Sequence, residues 1–534
     1  MLHIHFIVYE NTAFEKVGQL DVKILKGTMI LLVAGLITRV LGFINRMVIA
    51  RFIGGEGVGL YMMAFPTLML VITITQVGLP VAISKCVAEA AALGDRKKIK
   101  KILVVSLTIT VSLSLIFTPG LILLAPYLTK TLFTDPRIYY PLVAITPIIP
   151  IVAVSAVLRG YFQGMQNMKP FAISQMIEQA VRIVLIAVLT TLFLPYGIQY
   201  AAAGAMFASI VGELASLAYM FTMFKLKKKF KVRRNFFHVM KEGKETISEL
   251  LRVALPTTGS RLIGNVSWFL EPIVVAHSLA IAGFTASLAT KEYGVLTGFA
   301  LPLLMLPSFV THSLSTALVP AISEASSQRN FSLVEHRLQQ ALRFALLAGG
   351  ISVVILYVFA EPLMETVYGS KNGTNLIQLM APFFIFQYYQ GPLQATLQAL
   401  DLAKAAMINS MIGAIVKLGM IFILASNPDY GITGAALGIM TSTLLVTLLH
   451  YTTIIKKIQF TIYILEYVKF LITTLVSGFI GYWWYHHYLI QETIFTRLIC
   501  GIIVTSIVYL LLLLLTKLIN KEDLSYIPII KKFV

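Results

Sequence analysis

The chain has 534 residues, of which 57% are hydrophobic and only 13% charged, and its mean hydropathy of +0.83 excludes a soluble globular domain. The formal net charge of +19 lies mostly in connections between apolar runs, so it reports membrane topology and excludes nucleic-acid binding as the main role. Cys86 and Cys500 are the only cysteines, which leaves no paired framework and no CxxC metal spacing; no cofactor and no metal are expected.

Apolar runs of the ~20 residues that cross ~30 Å of hydrocarbon recur along the whole length, and about fourteen are expected, giving an all-α integral membrane protein. Residues 1–26 lack the basic start, short apolar core and cleavage site of a signal peptide. They are expected to be an irregular cytoplasmic leader or the product of a misassigned start codon. An N-terminal lobe of six helices is expected over 27–224, a basic cytoplasmic connection over 225–247, and a C-terminal lobe of six helices over 248–457. Two further helices and a cytoplasmic tail fill 458–534.

The first helix, "GLITRVLGFINRMVIARFIG" (35–54), carries three arginines. Arg39 and Arg46 stand seven residues apart, about 10 Å along nearly the same face. Arg39 lies near mid-membrane, where a charge costs roughly 2.5–3.5 kcal/mol on insertion scales, so it should face a wet or paired interior. Arg51, near the helix end, can snorkel to headgroups. In the second helix Pro66 and Pro80 are candidate hinges, as are Pro302 and Pro307, with Pro320, in its counterpart. The basic stretches "GDRKKIKK" (94–101), "KLKKKFKVRR" (225–234) and "IKKI" (455–458) fall on one side of the spans. The opposite connections "FLPYGIQY" and "ASNPDYG" carry no Lys or Arg, so both termini are expected in the cytoplasm.

Further along, Glu178 and Arg182 are four apart on one helix face, able to satisfy each other or to serve as an ion-coupling site. In "LPTTGSRLIGNVSWFLEPIVVAHS" (255–278), Thr257, Thr258, Arg261, Asn265 and Trp268 form one polar stripe with Glu271 at its margin. That stripe reads as a substrate-facing cavity, or as a structural pair of Arg261 with Glu271 or another carboxylate. Lys417 has no matching acid on its own helix, because Gly413 stands where Glu178 would be; Glu271 and Lys417 complete the ion-coupling candidates. Near the end, "GYWWYHHY" reads as an interfacial aromatic belt that includes His486 and His487.

Comparing the chain with itself reveals a repeat. "TRVLGFI" (38–44) resembles "SRLIGNV" (260–266), setting Arg39 opposite Arg261. The "AIS" of 82–84 returns at 321–323, "ISQMIEQAVR" (173–182) matches "INSMIGAIVK" (408–417), and "YGIQYAAAGAM" (196–206) matches "YGITGAALGIM" (430–440). An even number of helices per repeat gives both halves the same orientation, related by an axis along the membrane normal, with the substrate site expected between the lobes. A cavity rich in guanidinium groups favours an anion, phosphate above all. No GxxxxGK[ST], HExxH or GxSxG motif occurs, so movement of a substrate is expected rather than enzymatic chemistry.

The segments from "GTMILLVAGLITRVLGFINRMVIARFIGGEGVGLYMMAFPT" through "GLPVAISKCVAEAAALGDRKK", "LRGYFQGMQNMKP", "PTTGSRLIGNVSWFLEPIVVA" and "LSTALVPAISEA" resemble the stage V sporulation protein B family of endospore-forming bacteria. That family is similar to the lipid II flippases, within the multidrug/oligosaccharidyl-lipid/polysaccharide exporter superfamily. The resemblance implies two six-helix lobes plus two extra helices, alternating access, and a polyprenyl-diphosphate-linked saccharide carried across the cytoplasmic membrane for spore cortex peptidoglycan. It implies that Arg39 and Arg261 hold the diphosphate. Arg46 is a shifted counterpart, since Asn45 stands where those flippases have arginine. Asn265, Thr258 and Trp268 are expected to contact sugar or headgroup, and the last two helices to border the lipid tail. Membrane lipids and cell-wall synthesis proteins are the expected partners; a drug/cation antiporter and a non-transporting scaffold for a cell-wall synthase are the alternatives.

Overall fold

Hydrocarbon offers no water to backbone amides and carbonyls, so an apolar chain satisfies them inside helices, and every regular element among the described residues is helical. The computed structural model describes residues 2–227, 244–458, 460–461 and 463–518, with side chains from residue 34 onward except at 227, 244 and 260. Most of the expected basic connection and the cytoplasmic tail after 518 lie outside the described residues.

In chain order the helices are α1 (Leu2–Gln76), α2 (Leu79–Ala92), α3 (Arg96–Thr131), α4 (Tyr139–Ile145), α5 (Ile148–Gly164), α6 (Met168–Phe193) and α7 (Ile198–Lys227). They continue as α8 (Lys244–Ile281), α9 (Ala286–Gly294), α10 (Leu301–Met305), α11 (Ser308–Ser327), α12 (Phe331–Val358), α13 (Ala360–Tyr368) and α14 (Thr374–Met380). The last are α15 (Phe384–Ala399), α16 (Ala403–Ala425), α17 (Gly431–Ile455), α18 (Ile464–His487) and α19 (Ile494–Leu515). The leader expected to be irregular is helical from Leu2, in a stretch with no proline before Pro66.

Breaks within the helices have local causes. Gly54 interrupts α1 at φ 63° and ψ −174°, a conformation that glycine reaches without steric cost. Val77 and Gly78, both at positive φ, separate α1 from α2, so Pro80 falls in the first turn of α2, where a missing N–H costs nothing. Pro66 lies inside α1. A π-helical turn, Val295–Ala300, joins α9 to α10; Pro302 opens α10 and Pro307 caps α11.

Among the described residues ten helices are long and apolar enough to cross a membrane, which makes this a multi-pass membrane protein. Two bent pairs raise the number to twelve: Pro136–Ile145 with Ile148–Gly164, bent by 41°, and Ala286–Met305 with Ser308–Ser327, bent by 55°. The count of about fourteen expected from hydropathy exceeds this by two.

The chain divides into two compact units, residues 1–269 and 270–534, the division falling inside α8. In unit 1, α2 packs on α3 and α5, α3 on α5, and α4, α5 and α6 on α7. In unit 2 the same pattern returns helix for helix: α11 packs on α12 and α15, α12 on α15, and α14, α15 and α16 on α17. The turns repeat as well. Gly94 at φ 69° precedes Asp95, which caps α3 by accepting from the Lys98 amide; Arg329 at φ 55° precedes Asn330, which caps α12 by accepting from the Leu333 amide. Ile83 and Ile322, in the shared "AIS" motif, are both fully buried in their units' cores. α18 and α19 lie outside this pattern, packing on each other, on α12 and on α13.

Close approach of the last two helices in each repeat depends on glycine. A Cβ on Gly434 would sit 2.5 Å from the Leu424 carbonyl carbon, and one on Gly438 2.7 Å from Ile421 Cγ1, whereas Gly419 faces open space. Gly434→Ala is therefore expected to cost about 1–3 kcal/mol through overpacking and to lower the melting temperature of the purified protein in detergent. Gly419→Ala should leave that temperature unchanged or raise it.

Candidate functional site

Several of the charged residues deep in the spans are paired with one another. On α6, Arg182 donates to Glu178 Oε1 at 2.6 Å; on α5, Arg159 donates to Glu213 Oε1 of α7 at 2.6 Å and stands 3.7 Å from Glu178 Oε2. Two acids and two bases thus form a neutral cluster tying three helices. In unit 2, Lys417 Nζ donates to Glu271 Oε2 at 2.6 Å. This supplies the partner that Lys417 lacks on its own helix, and it replaces the pairing of Arg261 with Glu271. A buried pair of this kind satisfies both charges at the cost of their hydration.

The arginines of the first helix remain. Arg39 is half-buried; Arg46, Arg51 and Arg261 are exposed. At 1.5 Å per residue Arg46 stands roughly 12 Å and Arg39 roughly 22 Å along α1 from the Gly54 break, while Arg51 lies within one turn of it. Among the described residues neither Arg46 nor Arg261 forms an ion pair with a carboxylate.

The polar stripe of α8 divides by role. Thr258 is buried and donates to its own helix at the Ala254 carbonyl, 2.8 Å away. It packs against Gly78, where a Cβ would lie 2.5 Å from that same carbonyl oxygen. Asn265 Nδ2 donates to Thr73 Oγ1 of α1 at 2.5 Å. The Trp268 ring meets Phe65 edge-on at 5.7 Å, and Phe65 stacks on Tyr61 at 5.8 Å. Lys98 completes the contact, its ammonium 2.8 Å from Glu249. These contacts dock the first part of α8 on α1, α2 and α3, and Arg261 projects from the docked segment.

Sequence reasoning missed Arg159 and Glu213. Their signal was present, a lone charge inside each of the apolar runs "AVLRGYF" and "IVGELAS". His486 and His487 stack on Tyr482 and Trp483 at the exposed end of α18. The one ligand-rich group among the described residues, Cys86 with Glu89 and Glu249, already holds cations: Lys98 lies on Glu249, and Lys85 stands 4.0 Å from Glu89.

Residues 24–326 match the family model described as "Polysaccharide biosynthesis protein". The chain belongs to the polysaccharide biosynthesis protein family. A second model, MatE, matches residues 273–423. The chain is 58% identical over 510 residues to Stage V sporulation protein B of Bacillus subtilis (strain 168), covering 96% of this chain and 98% of that one. To Lipid II flippase MurJ of the same strain it is 24% identical over 448 residues, covering 79% and 81%. Among solved structures, "Lipid II flippase MurJ, inward closed conformation" shares the fold with a TM-score of 0.67 at 17% identity, covering 90% of this chain and 97% of that one. Membership in the polysaccharide biosynthesis protein family thus rests on sequence over more than half of the chain, and the fold on a structure that spans nearly all of it.

If the Lys417–Glu271 pair holds helices together, Lys417→Met should destabilise the protein by about 3–5 kcal/mol, because it leaves a buried carboxylate unpaired. The double variant Lys417→Met with Glu271→Gln should recover most of that loss. Thermal melts of the four proteins in detergent measure the coupling.

Proposed function

We propose that this protein is a flippase that carries a polyprenyl-diphosphate-linked saccharide of the lipid II type outward across the cytoplasmic membrane by alternating access, for spore cortex peptidoglycan. The relatives support the substrate class: one is named a lipid II flippase, and the other a sporulation protein. The observation that carries the reading is electrostatic. The deep carboxylates Glu178, Glu213 and Glu271 are each held by a cation, while Arg46 and Arg261 hold no carboxylate. Guanidinium groups in a desolvated space bind a diphosphate bidentately, through charge-assisted hydrogen bonds.

Arg39 and Arg261, helped by Arg46, grip the diphosphate. Thr258, buried against Gly78, holds α8 in place rather than meeting the headgroup as expected, while Asn265 and Trp268 both hold α8 and present their remaining polar edges to the headgroup. The breaks near Pro80 and Pro307, together with Pro66 and Pro302, let the lobes rearrange. α18 and α19 border the prenyl tail. Glu178 with Arg182 and Glu271 with Lys417 are the groups on which a coupling ion would act. Binding of the anion drives the cycle to the extent that it favours one state over the other.

The lobes are 27–224 and 248–457, joined by 225–247, with 458–534 appended and both termini cytoplasmic. Crossings number about fourteen. The 59-residue stretch Ala34–Ala92 would extend roughly 88 Å as one helix and crosses twice by folding at Gly54; the interrupted segment 374–399 adds another. No bond is made or broken, so the protein acts as a carrier. The MatE match raises a drug/cation antiporter, but such a carrier needs a free buried acid, and Glu178 and Glu271 are both engaged.

Each charge-assisted bond contributes about 1.5–3 kcal/mol, or roughly tenfold to a hundredfold in affinity. Arg39→Ala with Arg261→Ala should therefore lower translocation of a lipid II-type substrate in liposomes by at least about tenfold, in variants shown by melting to be folded. Undiminished translocation would overturn the assignment.

A further inference from the structure

Unit 2 holds a polar cavity among its described residues. It has a volume of about 330 Å³ and is lined by Lys291, Glu292, Asn372 and Asn375, with Val295 and Leu376 among its apolar surfaces. That volume falls within the range of about 300–1,000 Å³ typical of small-molecule sites. Ile432 and Thr433, at the start of α17, also line it. The 25 residues of α17 carry the chain roughly 37 Å to Lys456 and Lys457, so the cavity opens at the end of unit 2 opposite that basic turn. On the proposed topology this is the outer face.

The cavity wall is held by its backbone. Gly373 adopts φ 93°, and a Cβ there would lie 2.7 Å from Val295 Cγ1, so the loop before α14 presses onto the π-helical turn Val295–Ala300. π-helical turns of this kind recur at functional sites.

The charges of the cavity are not used up internally. Lys371, at its edge, is already engaged, its ammonium 2.5 Å from Glu361 and 3.5 Å from Glu365. Lys291 and Glu292 are different. Consecutive residues on a helix point about 100° apart and do not face each other, and among the described residues neither forms an ion pair. Lys291 is exposed and Glu292 half-buried. One ammonium and one carboxylate therefore address the same space, with side-chain amides beside them.

We infer that this cavity binds an amino-carboxylate group, the free amine resting on Glu292 and the free carboxylate on Lys291 and the amides of Asn372 and Asn375. A free dipeptide carries both groups a few ångströms apart, and so does a carboxyl end whose neighbouring side chain bears an amine. The ligand's identity as the peptide portion of a peptidoglycan precursor rests on the flippase reading; the amino-carboxylate chemistry does not.

The test uses the full chain in detergent with alanyl-alanine as the probe, followed by calorimetry. The free dipeptide should bind, and its N-acetylated and its C-amidated forms should each bind at least about tenfold more weakly, a factor equal to ~1.4 kcal/mol. Glu292→Gln should abolish discrimination against the acetylated form only, and Lys291→Gln discrimination against the amidated form only. Lys291 is exposed and Glu292 half-buried, and an unchanged melting temperature shows that the variants fold. Equal binding of free and blocked dipeptides overturns the site. Tighter binding of glycerophosphoethanolamine than of dipeptide assigns the cavity to a lipid headgroup and overturns the peptide assignment. Translocation of a lipid II-type substrate is measured on the same preparations after reconstitution into liposomes. Dipeptide binding without translocation sinks the flippase reading and leaves the site standing; translocation without dipeptide binding does the reverse.

Discussion

A charge inside a bilayer is kept only if another charge neutralises it or water reaches it, and that constraint decides how each unit of this protein is tied together. Arg159, Arg182, Glu178 and Glu213 cancel one another across α5, α6 and α7; Lys417 and Glu271 cancel between α16 and α8. With these acids committed, Arg46 and Arg261 are left holding no carboxylate among the described residues, and the proposed anion site rests on that. The proposed preference for an anion therefore follows from where the acids have gone as much as from the number of arginines.

The two halves solve the same packing problem with different side chains. In unit 1 the acid sits one turn before its base on α6, and Gly212 of α7 makes room, since a Cβ there would lie 2.9 Å from the Glu178 carbonyl oxygen. In unit 2 the matching position is Gly413, whose carbonyl accepts from Ser442 of α17 at 2.8 Å and whose missing side chain lets Val446 close in. With glycine in place of the acid, Val446 of α17 packs onto α16 at that point, and Lys417 pairs with Glu271 instead. Gly204 and Gly438, which occupy the same place in the repeat, both face the preceding helix too closely for a Cβ, with nearest contacts of 2.9 and 2.7 Å. The close helix pair is thus common to both halves, while the charge chemistry has diverged.

The stripe on α8 shows how a pattern of one type can hold two roles. Thr258, Asn265 and Trp268 share a face with Arg261, yet the first three meet α1 or α2 through a glycine, a hydroxyl and an aromatic ring. Docking at those points fixes where Arg261 projects. A helix that carried only the arginine would have nothing to aim it.

Much was legible in the sequence because the signals are local. Hydropathy over about 20 residues marks a span regardless of its neighbours, and the repeated segments identify equivalent helices that go on to pack alike. Arg39, Arg261, Glu178 and Lys417 stood out because a charge in an apolar run is costly wherever that helix lies. The tertiary structure alone decided the partners: Lys417 with Glu271 across 146 positions, Arg159 with Glu213 across 54, and Asn265 with Thr73 across 192. It also decided that Lys291 and Glu292 open into a cavity closed by Gly373. The physical reason is that a charge reports the cost of its burial through its own segment, whereas the group that offsets the cost is chosen by the rotation and spacing of packed helices, for which the linear order of residues carries no code.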